Sequence, residues 1–358
     1  MISELNLQLL LKSLSEWLRP DNIRLKQAID RSVDENLFSF EDIRHQLLVL
    51  KNKATESALR EWLSKNKAGD AETERKKIFF LHAGNLPLVG FQDVIAAVLT
   101  DSVYAGKLSR KDPYLLPTFL ECLKAQGLFT EATWNTDIGK FRDLKADAMI
   151  FSGSGESVRD VQATTRNLKA VKKGASELIR TAHFSIAYIE DHQPDTFSDL
   201  TEAVFRYGGL GCRSVHIVVA PFSLNSVKCE FTDYVEAFWL KNKQHRKPPA
   251  SLFYRYACNK AVGFQQSWLD DVLIEETDKI PDSDFVLHWV QGGPEKVKEL
   301  ADKAGDSLQT VYHSGDKKVL ADLSIESEPL STAQAPPIYW KPDGVDTVVW
   351  IVALSTLD

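Results

Sequence analysis

The 358-residue chain is poor in cysteine: it has Cys122, Cys212, Cys229 and Cys258, and no two of them form a C-x-x-C pair. That excludes the usual zinc-binding spacings and a dense disulfide framework, and it suits a reducing compartment. Positive charge is also scarce, with 43 Lys and Arg against 50 Asp and Glu and a net charge of −7. A general nucleic-acid binder needs a basic face to displace counterions, so no nucleic acid partner is expected. A local basic pocket for a phosphorylated cofactor is not excluded. No uninterrupted apolar run reaches the roughly 18 residues of a membrane span. The amphipathic start is broken by Glu4, Lys12 and Glu16, unlike a secretory signal. A cytoplasmic protein with no membrane span is therefore expected. There is no complete G-x-G-x-x-G, no internal repeat and no low-complexity segment.

What is present is a composition of 44% hydrophobic and 26% charged residues, enough for two soluble domains of ordinary size. The first 75 residues read as helices. Leu7, Leu10, Leu11, Leu14, Trp17 and Leu18 recur at helical spacing until Pro20-Asp21. Ser39-Phe40-Glu41-Asp42 resembles a capping box opening a long helix to about residue 65. A polar linker is expected over 67–77. Strands then alternate with helices: strands at 78–81, 102–108, 148–151 and 184–189, with helices at 92–100, 115–126 and 157–167 between them. This alternation predicts an α/β fold, a parallel sheet with helices on both faces and ligands at the carboxyl ends of its strands. A looser continuation predicts strands at 215–220 and 285–290, helices at 231–242 and 294–303, and a closing strand at 347–354.

Gly208-Gly209-Leu210-Gly211-Cys212-Arg213 stands between a helical run and an apolar strand. Glycines let backbone N–H groups crowd close to a neighbour. A cysteine placed there suits a nucleophile with amides waiting to stabilise an oxyanion, or else a tight turn with a packed cysteine. Arg213 is read either as an aid to thiol ionisation or as an ion-pair residue. In His82-Ala83-Gly84-Asn85-Leu86-Pro87, Asn85 either donates to an oxyanion or satisfies its own turn. Lys107-Leu108-Ser109-Arg110-Lys111 is either a phosphate and ribose contact or a solvated charged loop. Ser152-Gly153-Ser154-Gly155 is either an anion site at a helix start or a simple cap.

Taken in order, these segments resemble the aldehyde dehydrogenase superfamily, and more narrowly its acyl-CoA reductase branch, typified by the fatty-acid reductase of bacterial luminescence operons. The likeness runs over about residues 77–350. It rests on the stretch from His82 to Gly90-Phe91, Lys107-Leu108-Ser109 with Asp112-Pro113, and Phe151-Ser152-Gly153-Ser154. The segment Phe205 to Arg213 adds to it, as do Asn259-Lys260-Ala261, Ala333-Gln334-Ala335-Pro336 and Asp343-Gly344-Val345-Asp346-Thr347. The resemblance implies an aldehyde-dehydrogenase-like fold of two parallel-sheet Rossmann-type domains with an N-terminal helical segment. The corresponding division is a helical segment 1–75, an NADP-binding domain 76–188, a catalytic domain 189–330 and a return segment 331–358.

The resemblance also implies roles. Cys212 is the nucleophile that carries the acyl group, and Asn85 with the Cys212 N–H forms the oxyanion hole. Lys107 and Ser109 contact the adenosine ribose, and Gly153 and Ser154 lie beside the diphosphate. Arg110 falls where NAD-preferring relatives often carry a glutamate, and a cation there favours NADPH. The implied reaction is reduction of an acyl-CoA or acyl-carrier protein thioester to the aldehyde, with no metal. The chain is shorter than full-length aldehyde dehydrogenases. Glu177 lies 35 residues before Cys212, near the distance of the water-activating glutamate of oxidising members. However, Arg180-Thr181-Ala182 replaces the Gly-Gly-Lys that should follow. His183 is either a polar group near the cleft or a structural histidine. Trp239, Phe253, Tyr254 and Tyr256 are candidates for an acyl channel or for ordinary packing. A cysteine-dependent acyltransferase or thioesterase and a non-catalytic assembly partner are the competing readings. A homo-oligomer is left open, with 347–354 as the candidate pairing strand.

Overall fold

The computed structural model describes residues 4–64, 75–242 and 247–354. The chain divides into two compact units, Met1–Thr181 with Pro337–Asp358, and Ala182–Pro336.

The first unit opens with four helices, α1 (Glu4–Trp17), α2 (Ile23–Asp34), α3 (Phe40–Lys53) and α4 (Glu56–Ser64). The single long helix expected after Ser39 is thus two. Ser39 caps the first, its hydroxyl accepting the Asp42 N–H. Thr55 caps the second, its hydroxyl accepting the Ala58 N–H, which starts a new helix after the break at Ala54. Most of the linker expected at 67–77 lies outside the described residues.

β1 (Lys77–Leu81), α5 (Phe91–Leu99), β2 (Val103–Lys107), α6 (Leu115–Ala125), β3 (Thr133–Asn135), β4 (Ala146–Ser152), α7 (Val158–Asn167) and β5 (Val171–Arg180) follow. The five strands form a wholly parallel sheet in the order β3-β2-β1-β4-β5. Both faces are covered, as the near-continuous apolar strands require. Ile78, Phe80, Tyr104 and Ile150 join the core under α1, α5 and α6. The alternate residues Phe79, Leu81, Met149 and Phe151 pack on the opposite face with Val158 and Val161 of α7.

The second unit contains β6 (Phe184–Tyr188), α8 (Pro194–Phe205), β7 (Val215–Ala220), α9 (Leu224–Lys241), α10 (Ala250–Ala261), β8 (Gln266–Leu269), β9 (Val272–Glu276), β10 (Val286–Gln291), α11 (Pro294–Ala304), β11 (Leu308–His313), α12 (Lys318–Ala321) and β12 (Ser327–Pro329). Its sheet runs β12-β11-β6-β7-β10-β9-β8, with β8 the antiparallel edge. Helices α8 and α9 cover one face and α11 the other. The sequence division leaves β6 with the first domain. Its hydrogen bonds go to β7 and β11, so it belongs to the second unit.

The chain then returns to the first unit, where 347–354 is a helix, Thr347–Ala353, rather than a closing strand. The run is rich in β-branched residues, but the Asp346 carboxylate accepts the Val348 and Val349 N–H groups and starts a helical turn. Val348 and Ile351, three apart, then bury against the same core as α5. This segment therefore offers no strand edge for pairing. No described helix is long and apolar enough to cross a membrane.

Candidate active site

In the first unit, β1 leads through α5 to β2 on one side, and the chain later returns to β4 on the other side of β1. The carboxyl ends of β1 and β4 therefore flank a switch point, where the two connections diverge and leave a crevice. A cleft of about 270 Å³ lies there, lined by Leu81, His82, Lys107, Ile138, Phe151, Ser157, Asp160, Val161 and Thr164. Burial, then the charge of Arg110, hold the Lys107 ammonium below its ordinary range. His82 is kept neutral: burial lowers its pKa to about 4, and Nε2 is 2.8 Å from the Tyr104 hydroxyl. Behind it, Asp93 pairs with Arg180 at 2.8 Å, and Arg180 donates to Thr347 Oγ1 at 2.7 Å.

The loop after β1 carries Asn85 at an exposed bend. Asp112 fixes that loop from the side. Its carboxylate accepts the Leu88 N–H at 2.8 Å and the Leu115 N–H at 3.3 Å. This holds Leu88 in a left-handed conformation, φ 61°. Burial raises the Asp112 pKa to about 6 even so. Gly84 lies flat against Ser109, where a Cβ would fall 2.3 Å from Oγ. Ser109 Oγ accepts the Lys111 N–H at 3.1 Å, and Arg110 is exposed. On the β4 side the Phe151 ring covers Gly153, where a Cβ would be 2.5 Å from Cζ. Ser154 is exposed, and its carbonyl accepts the Ser157 hydroxyl at 2.8 Å. Asn85, Lys107, Ser109, Arg110, Gly153 and Ser154 thus share one edge of one sheet, and Lys107 lines the cleft itself.

The cleft is near the lower end of small-molecule pockets, about 300–1,000 Å³, so it has room for one portion of a dinucleotide. Apolar walls of Leu81, Ile138, Phe151 and Val161 suit a planar base, and Lys107, Ser157 and Thr164 suit ribose and phosphate oxygens. The residues fit a nucleotide. Glu177 is turned to another task. Gln162 Nε2 donates to its carboxylate at 2.6 Å, and Arg166 lies at 3.9 Å. Both partners are on α7, so the carboxylate is engaged in holding β5 to that helix.

Cys212 lies in the second unit, half-buried in the turn before β7. It therefore stands at the amino edge of its sheet, where the carboxyl-end rule does not place ligands. Tyr207, Gly208 and Gly209 run consecutively through positive φ, at 59°, 66° and 71°. Glycine is needed at 209, where a Cβ would also sit 3.0 Å from the Val204 carbonyl oxygen. The turn is pinned on every side. The Cys212 carbonyl accepts the Ser185 hydroxyl at 3.0 Å. Gly211 N–H donates to Ser214 Oγ at 3.1 Å, and the Gly209 carbonyl is 2.8 Å from His216 Nε2. Arg213 donates to the Ala333 and Thr332 carbonyls and to Glu328 Oε2 at 2.6 Å. Burial opposes its charge, but Tyr312, Glu328 and Cys212 more than offset that and its pKa is raised. Arg213 thus ties down the 328–333 segment and is also a charge within reach of Cys212.

His183 precedes β6 at the same edge; its N–H donates to the Ser307 carbonyl and its ring meets Phe184 edge-on. Trp239 lines a void of about 20 Å³ behind Gly208 and Gly209, enough for about one water. Phe253 and Tyr254 are exposed, and Tyr256 packs edge-on against Trp268. These four aromatics do not converge on one channel. Among the described residues, no group of three or more His, Cys, Asp or Glu is placed to hold a metal ion.

The architecture matches solved structures. Aldehyde dehydrogenase 21 from Physcomitrella patens, solved with its product succinate, superposes with a TM-score of 0.67 at 12% identity, covering 98% of this chain and 84% of that one. The fold is that of the aldehyde dehydrogenases. An NAD-dependent benzaldehyde dehydrogenase from Corynebacterium glutamicum gives a TM-score of 0.65 at 12% identity, covering 90% of this chain and 78% of that one. The bifunctional proline utilization A protein gives 0.57 at 15% identity, covering 90% of this chain and 39% of that one. By sequence, the chain matches no family model and none of the curated proteins. The aldehyde-dehydrogenase-like fold supplies two sheets with their own polar edges.

Several residues at these edges carry no sequence signal as site residues. Ser157 reaches the cleft from just before α7, and Asp160 and Thr164 from α7 itself. Ser185, which anchors the Cys212 carbonyl, sits inside an apolar strand. Its polarity in that run was the only hint.

Proposed function

We propose that this chain is an oxidoreductase that reduces an acyl thioester, carried by coenzyme A or by an acyl-carrier protein, to the aldehyde, with NADPH as reductant. The observation that carries the reading is the half-buried Cys212 at the end of a rigid left-handed glycine turn, on an aldehyde-dehydrogenase-like fold. The Cys212 thiolate attacks the thioester carbonyl carbon. The carrier thiolate leaves and takes a proton, and the acyl group stays on Sγ. Asn85, with the Cys212 N–H, stabilises the oxyanion of each tetrahedral stage, a kind of contact worth about 3 kcal/mol per donor. When bound, the reduced nicotinamide would supply a hydride to the acyl carbon; the C–Sγ bond then breaks, the aldehyde leaves and Cys212 Sγ returns to the thiolate. Lys107 and Ser109 hold the adenosine ribose, Gly153 and Ser154 the diphosphate, and Arg110 the 2′-phosphate.

Glu177 supports reduction over oxidation. Aldehyde oxidation needs a base to activate water, and this carboxylate is engaged by Gln162 and Arg166. Water exclusion matters for the same reason, since hydrolysis wastes the acyl-enzyme.

The test is turnover of long-chain acyl-CoA with NADPH, read as loss of reduced-cofactor absorbance and as trapped aldehyde. Wild type turns over, Cys212→Ala does not, and Asn85→Ala falls about a hundredfold. Arg110→Glu shifts preference toward NADH. Release of coenzyme A without NADPH consumption would instead establish an acyltransferase or thioesterase. Equal use of NADH by wild type would refute the role of Arg110 alone.

A further inference from the structure

Tyr312 is fully buried on β11; its hydroxyl meets no partner in hydrogen-bonding geometry, and the Ser185 hydroxyl beside it makes no well-aligned bond to it. Such a group lowers stability, and phenylalanine would fill the same space without the penalty. The register places this hydroxyl near the Cys212 turn. Tyr312 is flanked by Ala187 of β6 and Glu328 of β12. Ser185 lies two residues before Ala187 and so on the same face. It is the residue whose hydroxyl donates to the Cys212 carbonyl at 3.0 Å. Arg213, next in sequence to Cys212, lies with Cζ 5.4 Å from the Tyr312 ring centroid. Ser185 is thus the neighbour of both the phenol and the cysteine, and its own proton is committed to the Cys212 carbonyl.

We propose that Tyr312 is a positioning residue for Cys212, a buried donor held in reserve for the sulfur when it ionises. The inference rests on Cys212 being the nucleophile and adds how its thiolate is sustained. In the resting thiol the phenol is unmatched. Once the thiol proton has passed to solvent, the Tyr312 O–H turns toward the anion, and no bond to that proton breaks. The charges of Cys212 and Tyr312 bear on one another, and Arg213 and Glu328 act on both the phenol and each other. Arg213 is largely compensated by Glu328, so a neutral donor supplies what the guanidinium does not. An unmatched hydroxyl that costs stability in the resting state is the expected mark of a group that acts only in the charged one.

The groups facing this pair are Arg213 on the turn, Glu328 on β12 and Ser185 on β6. Two imidazoles, His183 and His216, stand at the same edge, so the comparison is made between variants that leave all of them in place. The experiment measures alkylation of Cys212 by iodoacetamide against pH, resolved by peptide mass so that Cys122, Cys229 and Cys258 do not contribute. Neither cofactor nor acyl donor is present. Tyr312→Phe is expected to raise the midpoint by about one pH unit, tenfold less thiolate at a fixed pH, with thermal stability unchanged or higher. Replacing Tyr312 by 3-fluorotyrosine, a stronger donor with the same ring, is expected to move the midpoint down. That arm decides the matter alone should Tyr312→Phe fail to fold. Midpoints that coincide with wild type overturn the proposal, as does a shift of the same sign in both variants. Because the assay needs no acyl-CoA or NADPH, a negative result leaves the reductase reading to its own turnover test.

Discussion

Replacing Asp112 by asparagine is expected to expose a pH dependence of stability that the intact protein conceals. Two groups buried in the first unit titrate abnormally in opposite senses. His82 has a folded pKa of about 4 against an ordinary 6.5, because burial disfavours its charge. Its contribution is present above pH 6.5 and is lost as pH falls toward 4, where only the unfolded chain takes the proton. At about 1.4 kcal/mol per unit, the 2.5-unit shift is worth about 3 kcal/mol. Asp112 has a folded pKa of about 6 against an ordinary 3.8, again through burial. Its contribution is present below pH 3.8 and is lost as pH rises through 6, and it is also worth about 3 kcal/mol. Between pH 6 and 4 the two slopes cancel. In Asp112→Asn the His82 slope is no longer offset by Asp112, and stability should fall on acidification more steeply than in wild type by about 1.4 kcal/mol per pH unit. His82→Phe should show the reverse, gaining stability over the same range. Urea unfolding followed by tryptophan fluorescence at half-unit pH steps and constant ionic strength measures both slopes. Parallel profiles for wild type and Asp112→Asn would refute the reasoning. Because Asp112 also grips Leu88, Asp112→Asn should lower any activity that depends on Asn85.

Two further outcomes follow from local geometry. Asp346→Ala removes the cap of the C-terminal helix and the acceptor of the Trp62 indole N–H at 3.0 Å. It should cost about 2 kcal/mol, read as a lowered urea midpoint. Gly209→Ala places a Cβ at φ 71° and 3.0 Å from the Val204 carbonyl oxygen. It should cost at least 1–2 kcal/mol and slow Cys212 alkylation, whereas an unchanged melting temperature would show that the turn relaxes freely.

The sequence made the polar edge of the first sheet readable because its signals are local. Gly84, Gly153 and the polar residues after β1, β2 and β4 each sit within a few positions of an apolar strand, and the parallel order then lines them up. The Cys212 turn was readable for the same reason, since its glycines announce left-handed backbone. What sequence did not supply comes from elsewhere in the chain. Tyr312 and Ser185 reach the cysteine turn from two other strands, where each reads as a core position. Asp112 reads only as part of the family resemblance, with no role of its own, until its carboxylate is seen accepting the Leu88 N–H. The closing segment failed for an energetic reason: Val348, Val349, Ile351 and Val352 favour a strand, and one aspartate cap with an i, i+3 buried face outweighs them. The boundary at β6 failed because a strand's sheet partners are not written in its own residues.

The return of the chain after Pro336 has a consequence for biosynthesis. Ala182–Pro336 is one contiguous stretch and can close its core as soon as it has left the ribosome. The other unit must wait: the partners of Gln92, Arg180 and Trp62 at Ile338, Thr347 and Asp346 are made only after Pro336. A nascent chain stalled before residue 337 would thus present one finished body and one still lacking its final stitches, a window in which chaperones have the most to hold.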